Sequence, residues 1–316
     1  RDSARLLVDR GPGEPPADRT VADLPELLRS GDLVVVNDTR VLPARVEVLR
    51  HGGGTGEVLL LEERDDGWWQ ALCRPSRKLR EGEVVTSAAP GLSFEMGGTE
   101  GGTRLVRPIH DGPLTEVLEH VGRMPLPPYI TRRLTDAGRY QTVYADRPAS
   151  AAAPTAGLHL TERVMADLVD RGVELARVEL VVGLDTFRPI ATARVEDHDI
   201  HSERYRVPPQ TVEALAACRA RGGRVVAVGT TTVRALESHA ATGEPEGRTR
   251  LFITPGFEFR VVDVLMTNFH LPRSSLLAMI QAFVGPRWRD LYESALERGY
   301  RFLSFGDAML VDRRDD

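Results

Sequence analysis

Two cysteines in 316 residues, Cys73 and Cys218, are too few for a disulfide framework or a cysteine-based zinc site. Lysine is nearly absent. Lys78 is the only one, so arginine carries almost all the positive charge. Arginine presents a planar fork that suits phosphate and carboxylate, although a compositional bias of the source genome gives the same count. No apolar run approaches the roughly 18 residues that a spanning helix needs. The opening "RDSARLLVDRGPGEPPADR" is charged throughout and lacks a signal-peptide pattern. The expectation is a reduced, cytoplasmic protein with no membrane partner. An excess of basic residues is missing too: a formal net charge of −5 excludes a generally basic nucleic-acid binder. Any such partner must be met by a local patch. The chain also lacks the Gly-x-Gly-x-x-Gly dinucleotide pattern, the Walker loop and the Gly-x-Ser-x-Gly elbow of hydrolases.

What is present is a succession of short apolar runs between turn residues. "DLVVVNDTRVLPARVEVL" reads as a buried strand, a polar turn at Asn37-Asp38-Thr39 and a second strand. From there to Pro108, runs such as "EVLLLEE", "WWQALCR" and "TRLVRP" alternate with glycine clusters, as in a small all-β barrel. After "MPLPPYI", whose prolines favour extended chain, strands and helices alternate. "LTERVMADLVDRG" is a helix capped by Thr161 and ending at Gly172; "RVVAVGT" is a strand and "TTVRALESHAA" a helix. The expected fold is an α/β (mixed α+β) main domain of residues 1–44 and 109–316, with an inserted small β-barrel domain at 45–108.

Four stretches could carry chemistry. "APTAGLHL" presents Thr155, Gly157 and His159 on a tight passage before a helix N-terminus, where backbone N–H groups meet a ligand. "GTTTVRALES" joins a strand to a helix through Thr230 and Thr231, with Arg234 one turn further in; this suits a carboxylate or phosphate. "EDHDIHSERY" sets His198, His201 and Glu203 close together. That spacing fits none of the usual zinc patterns, so a His–Glu acid–base pair is the better reading and no metal is expected. "LMTNFHLPRSSL" gathers Asn268, His270 and Ser274, Ser274 also being a natural N-cap. "RPSRKLR" (Arg74, Arg77, Lys78, Arg80) and "TRRLTDAGR" (Arg132, Arg133) are the basic runs able to meet phosphate. Each stretch has a plain reading beside it: a satisfied buried histidine, a cap or a solvated face.

Taken together, these pieces resemble the S-adenosylmethionine:tRNA ribosyltransferase-isomerase family of the queuosine pathway. "GDLVVVNDTRVLPARV", "RPSRKL", "MPLPPYI", "YQTVYA", "APTAGLHLT", "HSERY", "GTTTVRALES", "FITPGFEF", "TNFHLPRSSLL" and "YRFLSFGDAML" occur in the family's order over practically the whole chain. The resemblance implies an α/β domain with an inserted β-barrel, and S-adenosyl-L-methionine as cosubstrate with no metal or prosthetic group. The acceptor would be 7-aminomethyl-7-deazaguanine at the wobble position of tRNA, yielding epoxyqueuosine and releasing adenine and methionine. That chemistry needs a base near the C5′ proton, a proton donor for adenine and a clamp for the amino-acid end. It implies proton traffic through His159, His201 with Glu203, and His270. Thr230, Thr231 and Arg234 would hold the methionine carboxylate, with Asp38 and Arg40 at the floor of the site. A monomer is expected.

The chain departs from the family at several positions. "VVGLDTF" has Val182 for a histidine and Asp185 for a glycine, and Arg188 just beyond it is expected to bind substrate; "ASAAAP" alters Ala149 and Ala151. Leu160 replaces a phenylalanine, and Arg250 and Thr254 differ in "RTRLFITPG". Losing an imidazole and gaining a carboxylate both change a pocket's charge. Asp185 is therefore expected in the substrate pocket, ionised and affecting acceptor choice. Three readings stay open: the tRNA enzyme, a paralogue with another, small-molecule acceptor, and an inactive RNA-binding protein on the same scaffold.

Overall fold

The computed structural model describes residues 1–127, 129–130, 136–150, 152–183, 192, 195, 200 and 202–314, without the side chains of 149 and 150. In chain order the elements begin with β1 (Arg5–Asp9), β2 (Ala17–Thr20), α1 (Leu24–Leu27), β3 (Leu33–Asn37) and β4 (Thr39–Val41). Then come β5 (Arg45–Leu49), β6 (Thr55–Glu63), β7 (Trp69–Arg74), β8 (Val84–Ser87), β9 (Leu92–Glu100), β10 (Thr103–His110), α2 (Leu114–Val121) and β11 (Arg147–Ser150). They are followed by α3 (Glu162–Asp170), β12 (Glu174–Leu180), β13 (Glu203–Arg206), α4 (Pro209–Ala220), β14 (Val225–Val228) and α5 (Thr230–Thr242). The last are β15 (Glu246–Thr249), β16 (Val264–Asn268), α6 (Ser275–Val284), α7 (Trp288–Glu297) and β17 (Ala308–Asp312).

The chain divides into two compact units. One comprises Arg1–Thr39, Gln141–Ala145 and Pro154–Asp316; the other comprises Arg40–Tyr140 and Asp146–Ala153. Among the described residues, the first unit is built on nine strands in the order β15-β13-β12-β3-β14-β16-β17-β1-β2. Its centre, β12-β3-β14-β16, is parallel, and its flanks are mixed. Central strands covered on both faces read as unbroken apolar runs, which is why "LVVVN" and "VVAV" are buried at every position. Side chains alternate between the faces. Val34, Val36, Val226, Val228, Val264 and Met266 share one cluster with Leu160 and with Val164 and Leu168 of α3. Thr161 caps α3 by accepting from Val164 N, and Gly172 follows its end at φ +77°.

The second unit holds a closed six-stranded barrel in the order β10-β7-β6-β5-β8-β9, and a two-stranded ribbon of β4 and β11. Closure leaves no strand edge to template pairing with another chain. Alternate residues Val46, Val48, Val58, Leu60, Phe94 and Met96 fill its interior. The barrel strands run from Arg45 to His110, two residues beyond the 45–108 expected, and their compact unit extends further to include α2. Among the described residues, no helix is long and apolar enough to cross a membrane.

Candidate active site

Because β3, β14 and β16 are parallel, their carboxyl ends lie along one edge of the sheet, the edge where open α/β sheets bind ligands. Leaving β14 for α5 requires a sharp turn, and Gly229 makes it at φ +91°. A methyl group on Gly229 would stand 3.6 Å from both Ala156 Cβ and Thr231 Oγ1. The single-turn 3-10 helix Thr155–His159 and the start of α5 therefore flank this glycine.

α5 has a glycine N-cap with no capping side chain, so its first backbone N–H groups receive nothing from that residue. Thr232 Oγ1 donates to Val228 O at 2.7 Å. Thr231 Oγ1 is buried and has no hydrogen-bond partner among the described residues. One turn on, Arg234 is ion-paired through Nη1 with Glu203, and its Nε donates to Leu251 O at 3.1 Å. Its Nη2 is buried without a partner among the described residues. Burial pushes this guanidinium down to about 10, so it stays charged at neutral pH. Glu203 Oε1 also accepts from Gly183 N at 3.3 Å. Glu203 is thus ion-paired with Arg234, while His201, its expected partner, lies outside the described residues.

The end of β16 orients two histidines. Thr155 Oγ1 donates to Asn268 Oδ1 at 3.2 Å, and Asn268 Nδ2 meets His159 Nε2 at 2.8 Å. Thr267 Oγ1 lies 3.1 Å from His270 Nε2, while His270 N donates to Tyr292 Oη at 3.0 Å. Thr267 and Asn268 are consecutive strand residues, so they leave the sheet on opposite faces. The two imidazoles are thus held from different sides. Ser274 does not join them: its Oγ accepts from Leu277 N at 3.2 Å and donates to Leu271 O at 2.8 Å, capping α6.

At the end of β3 the Asn37 carboxamide ties down β12, donating to Leu180 O at 3.0 Å and accepting from Leu180 N at 3.3 Å. Asp38 is buried, with Arg177 Nη1 at 4.0 Å. Tyr144 lies within "YQTVYA", a stretch whose spacing announces no role for it. Its hydroxyl is buried against Gly157 with no hydrogen-bond partner among the described residues. Burial, helped by the Asp38 charge, pushes this phenol up.

The other expected residues lie elsewhere. Arg40 belongs to the second unit, where it is exposed and paired with Glu119 at 2.9 Å. Arg74, at the end of β7, and Arg77, Lys78 and Arg80 on the turn after it are exposed around the buried Leu79. The nearby acid Glu83 is engaged by Arg50 at 3.1 Å. Val182 is buried. Asp185, Arg188, His201, Arg132 and Arg133 lie outside the described residues. Among the described residues no group of three or more His, Cys, Asp or Glu could hold a metal ion.

Burial lowers both imidazoles, His159 and His270, from the ordinary 6.5 to about 4. Between those values the unfolded chain binds more protons than the folded one. Stability is therefore fully present above pH 6.5 and is lost as pH falls toward 4, by up to about 1.4 kcal/mol per pH unit per histidine. Urea midpoints taken across that range should decline, and the decline should be shallower in His270→Gln. Parallel declines in both proteins would contradict the assignment.

A family model described as "Queuosine biosynthesis protein" matches residues 1–311. The S-adenosylmethionine:tRNA ribosyltransferase-isomerase of Anaeromyxobacter sp. (strain K) is 51% identical over 326 residues, covering 99% of this chain and 94% of that protein. The protein of the same name from Rubrobacter xylanophilus is 49% identical over 312 residues, covering 98% and 91%. The crystal structure of S-adenosylmethionine tRNA ribosyltransferase from Thermotoga maritima is similar with a TM-score of 0.55 at 35% identity. That match covers 98% of this chain and 92% of that one. This chain belongs to the queuosine biosynthesis protein family.

Proposed function

We propose that this chain is an S-adenosylmethionine:tRNA ribosyltransferase-isomerase. It transfers the ribosyl carbons of S-adenosylmethionine to 7-aminomethyl-7-deazaguanine at the tRNA wobble position and isomerises them, giving epoxyqueuosine with loss of adenine and methionine. The observation that carries this reading within the site is the start of α5. Uncapped backbone N–H groups, the unpartnered Thr231 hydroxyl and the unpartnered Arg234 Nη2 are gathered there at a strand–glycine–helix turn. This is a site for a carboxylate, such as that of methionine. The buried His159 and His270 on either side of β16 supply neutral imidazoles for the reaction, and burial of the site excludes water from a reactive sulfonium. The protein works as a cytoplasmic monomer and uses neither metal nor prosthetic group.

In the second unit, Arg74, Arg77, Lys78 and Arg80 supply the local positive charge that a protein of net charge −5 needs to hold tRNA phosphates. Binding of 7-aminomethyl-7-deazaguanine tRNA should weaken steeply with salt. Replacing these four residues by serine should reduce the slope of log affinity against log salt by about 3–4. An unchanged slope would remove the patch from the RNA interface. The enzyme reading itself is tested by adenine release: the chain should liberate adenine from S-adenosylmethionine only when the acceptor tRNA is present. An inactive RNA-binding protein would bind the tRNA and release none.

A further inference from the structure

We propose that Asn268 is the positioning residue of His159, holding that imidazole neutral with its proton on Nδ1. His159 then serves as a hydrogen-bond donor and not as a proton-abstracting base. The inference rests on the polarity of the chain Thr155–Asn268–His159. A threonine hydroxyl donates to Oδ1 at 3.2 Å, which leaves the amide Nδ2 facing His159 Nε2 at 2.8 Å. An amide N–H can only donate, so with the amide in this orientation Nε2 accepts and the ring proton sits on Nδ1. Asn268 and His159 are 2% and 4% exposed, so water does not compete for these bonds.

His270 is held differently. Its Nε2 meets the Thr267 hydroxyl at 3.1 Å, and a hydroxyl can turn to donate or accept. The tautomer of His270 thus follows the rotation of a hydroxyl, and that of His159 follows the orientation of the Asn268 amide. Desolvation dominates at His159; of the charged groups acting on it, Asp307 favours the protonated ring and Arg301 opposes it.

In the proposed reaction, on which this part of the inference depends, an N–H donor suits the departing purine. A purine nitrogen gains electron density as its bond to the sugar breaks. A ring whose Nε2 lone pair is already engaged cannot take the C5′ proton without losing Asn268, which leaves that task to another group.

The test is long-range ¹H–¹⁵N spectroscopy of the full chain labelled at histidine, with His159 assigned by the signal lost in His159→Gln. The wild type should show His159 as the neutral Nδ1–H tautomer at pH 7 and at pH 5.5. Asn268→Asp places an acceptor opposite Nε2 and should convert the ring to its Nε2–H or charged form. The same change should lower kcat for adenine release at least about tenfold while KM for S-adenosylmethionine stays within about twofold. Thr155→Val, nearly isosteric, frees the amide to turn and should give a mixture of tautomers. An Nε2–H tautomer in the wild type would overturn the inference, as would variants that leave the spectrum of His159 unchanged. A wild type that shows the Nδ1–H form but releases no adenine would sink the enzyme reading and leave the positioning role intact.

Discussion

Glu203→Leu is expected to cost the folded protein about 3–5 kcal/mol, the range for removing one partner of a buried ion pair. Arg234 is 6% exposed and Glu203 7% exposed, so neither charge can turn to water when the other is gone. The guanidinium still carries its proton at pH 7, because burial lowers it only to about 10. Its Nη2 already lacks a partner, so among the described residues losing Glu203 leaves only the bond from Nε to Leu251 O. Removing both charges should be far milder. Glu203→Leu with Arg234→Met replaces the pair by apolar groups of similar volume, which is often near neutral. The double variant should therefore regain most of the stability in urea unfolding while binding S-adenosylmethionine much more weakly than wild type. A single variant as stable as wild type would show that the pair does not hold β13 to α5.

Gly157→Ala is the second large effect, at about 3 kcal/mol or more, at or above the upper end for overpacking a buried site. The new methyl carbon would fall 1.8 Å from Tyr144 Oη, 2.9 Å from its Cζ and 3.0 Å from Thr142 Cγ2. Tyr144 is buried, so the ring has no open space to move into. Tyr144→Phe removes the nearest atom. By itself that change should be close to neutral or stabilising, because the deleted hydroxyl has no hydrogen-bond partner among the described residues. Combined with Gly157→Ala it should recover part of the loss, and the two changes should be coupled by about 1 kcal/mol or more in a double-mutant cycle. Additive effects would mean that the turn at 155–159 yields instead of the tyrosine. The glycine is thus required by a close approach, not by a positive φ.

Much of this arrangement was legible in the sequence, and the reasons differ by element. "LVVVN" and "VVAVGTTT" announce themselves because central parallel strands must be apolar on both faces and must end in a turn residue before a helix. The barrel strands are visible because glycine clusters punctuate them. The cap readings of Thr161 and Ser274 need only three residues of local sequence, and both side chains make those caps. Other features depend on pairings that spacing does not encode. β1 pairs with β17, three hundred residues away, and β1 is disguised within a charged opening. Glu203 is ion-paired with Arg234, 31 residues further along the chain, a pairing that no local spacing announces. Asn268 reads as part of a cluster with His270 and Ser274, but strand alternation turns it away from Thr267, the partner of His270, and toward a histidine 109 residues earlier.

The central claim is the transfer of ribosyl carbons from S-adenosylmethionine to a modified guanine in tRNA. Its most direct test is mass spectrometry of nucleosides from 7-aminomethyl-7-deazaguanine tRNA incubated with the protein and S-adenosylmethionine. The 7-aminomethyl-7-deazaguanosine signal should be replaced by epoxyqueuosine, with adenine and methionine released in equal amount. Release of adenine with the tRNA nucleoside unchanged, while a small-molecule acceptor gains the ribosyl carbons, would contradict it.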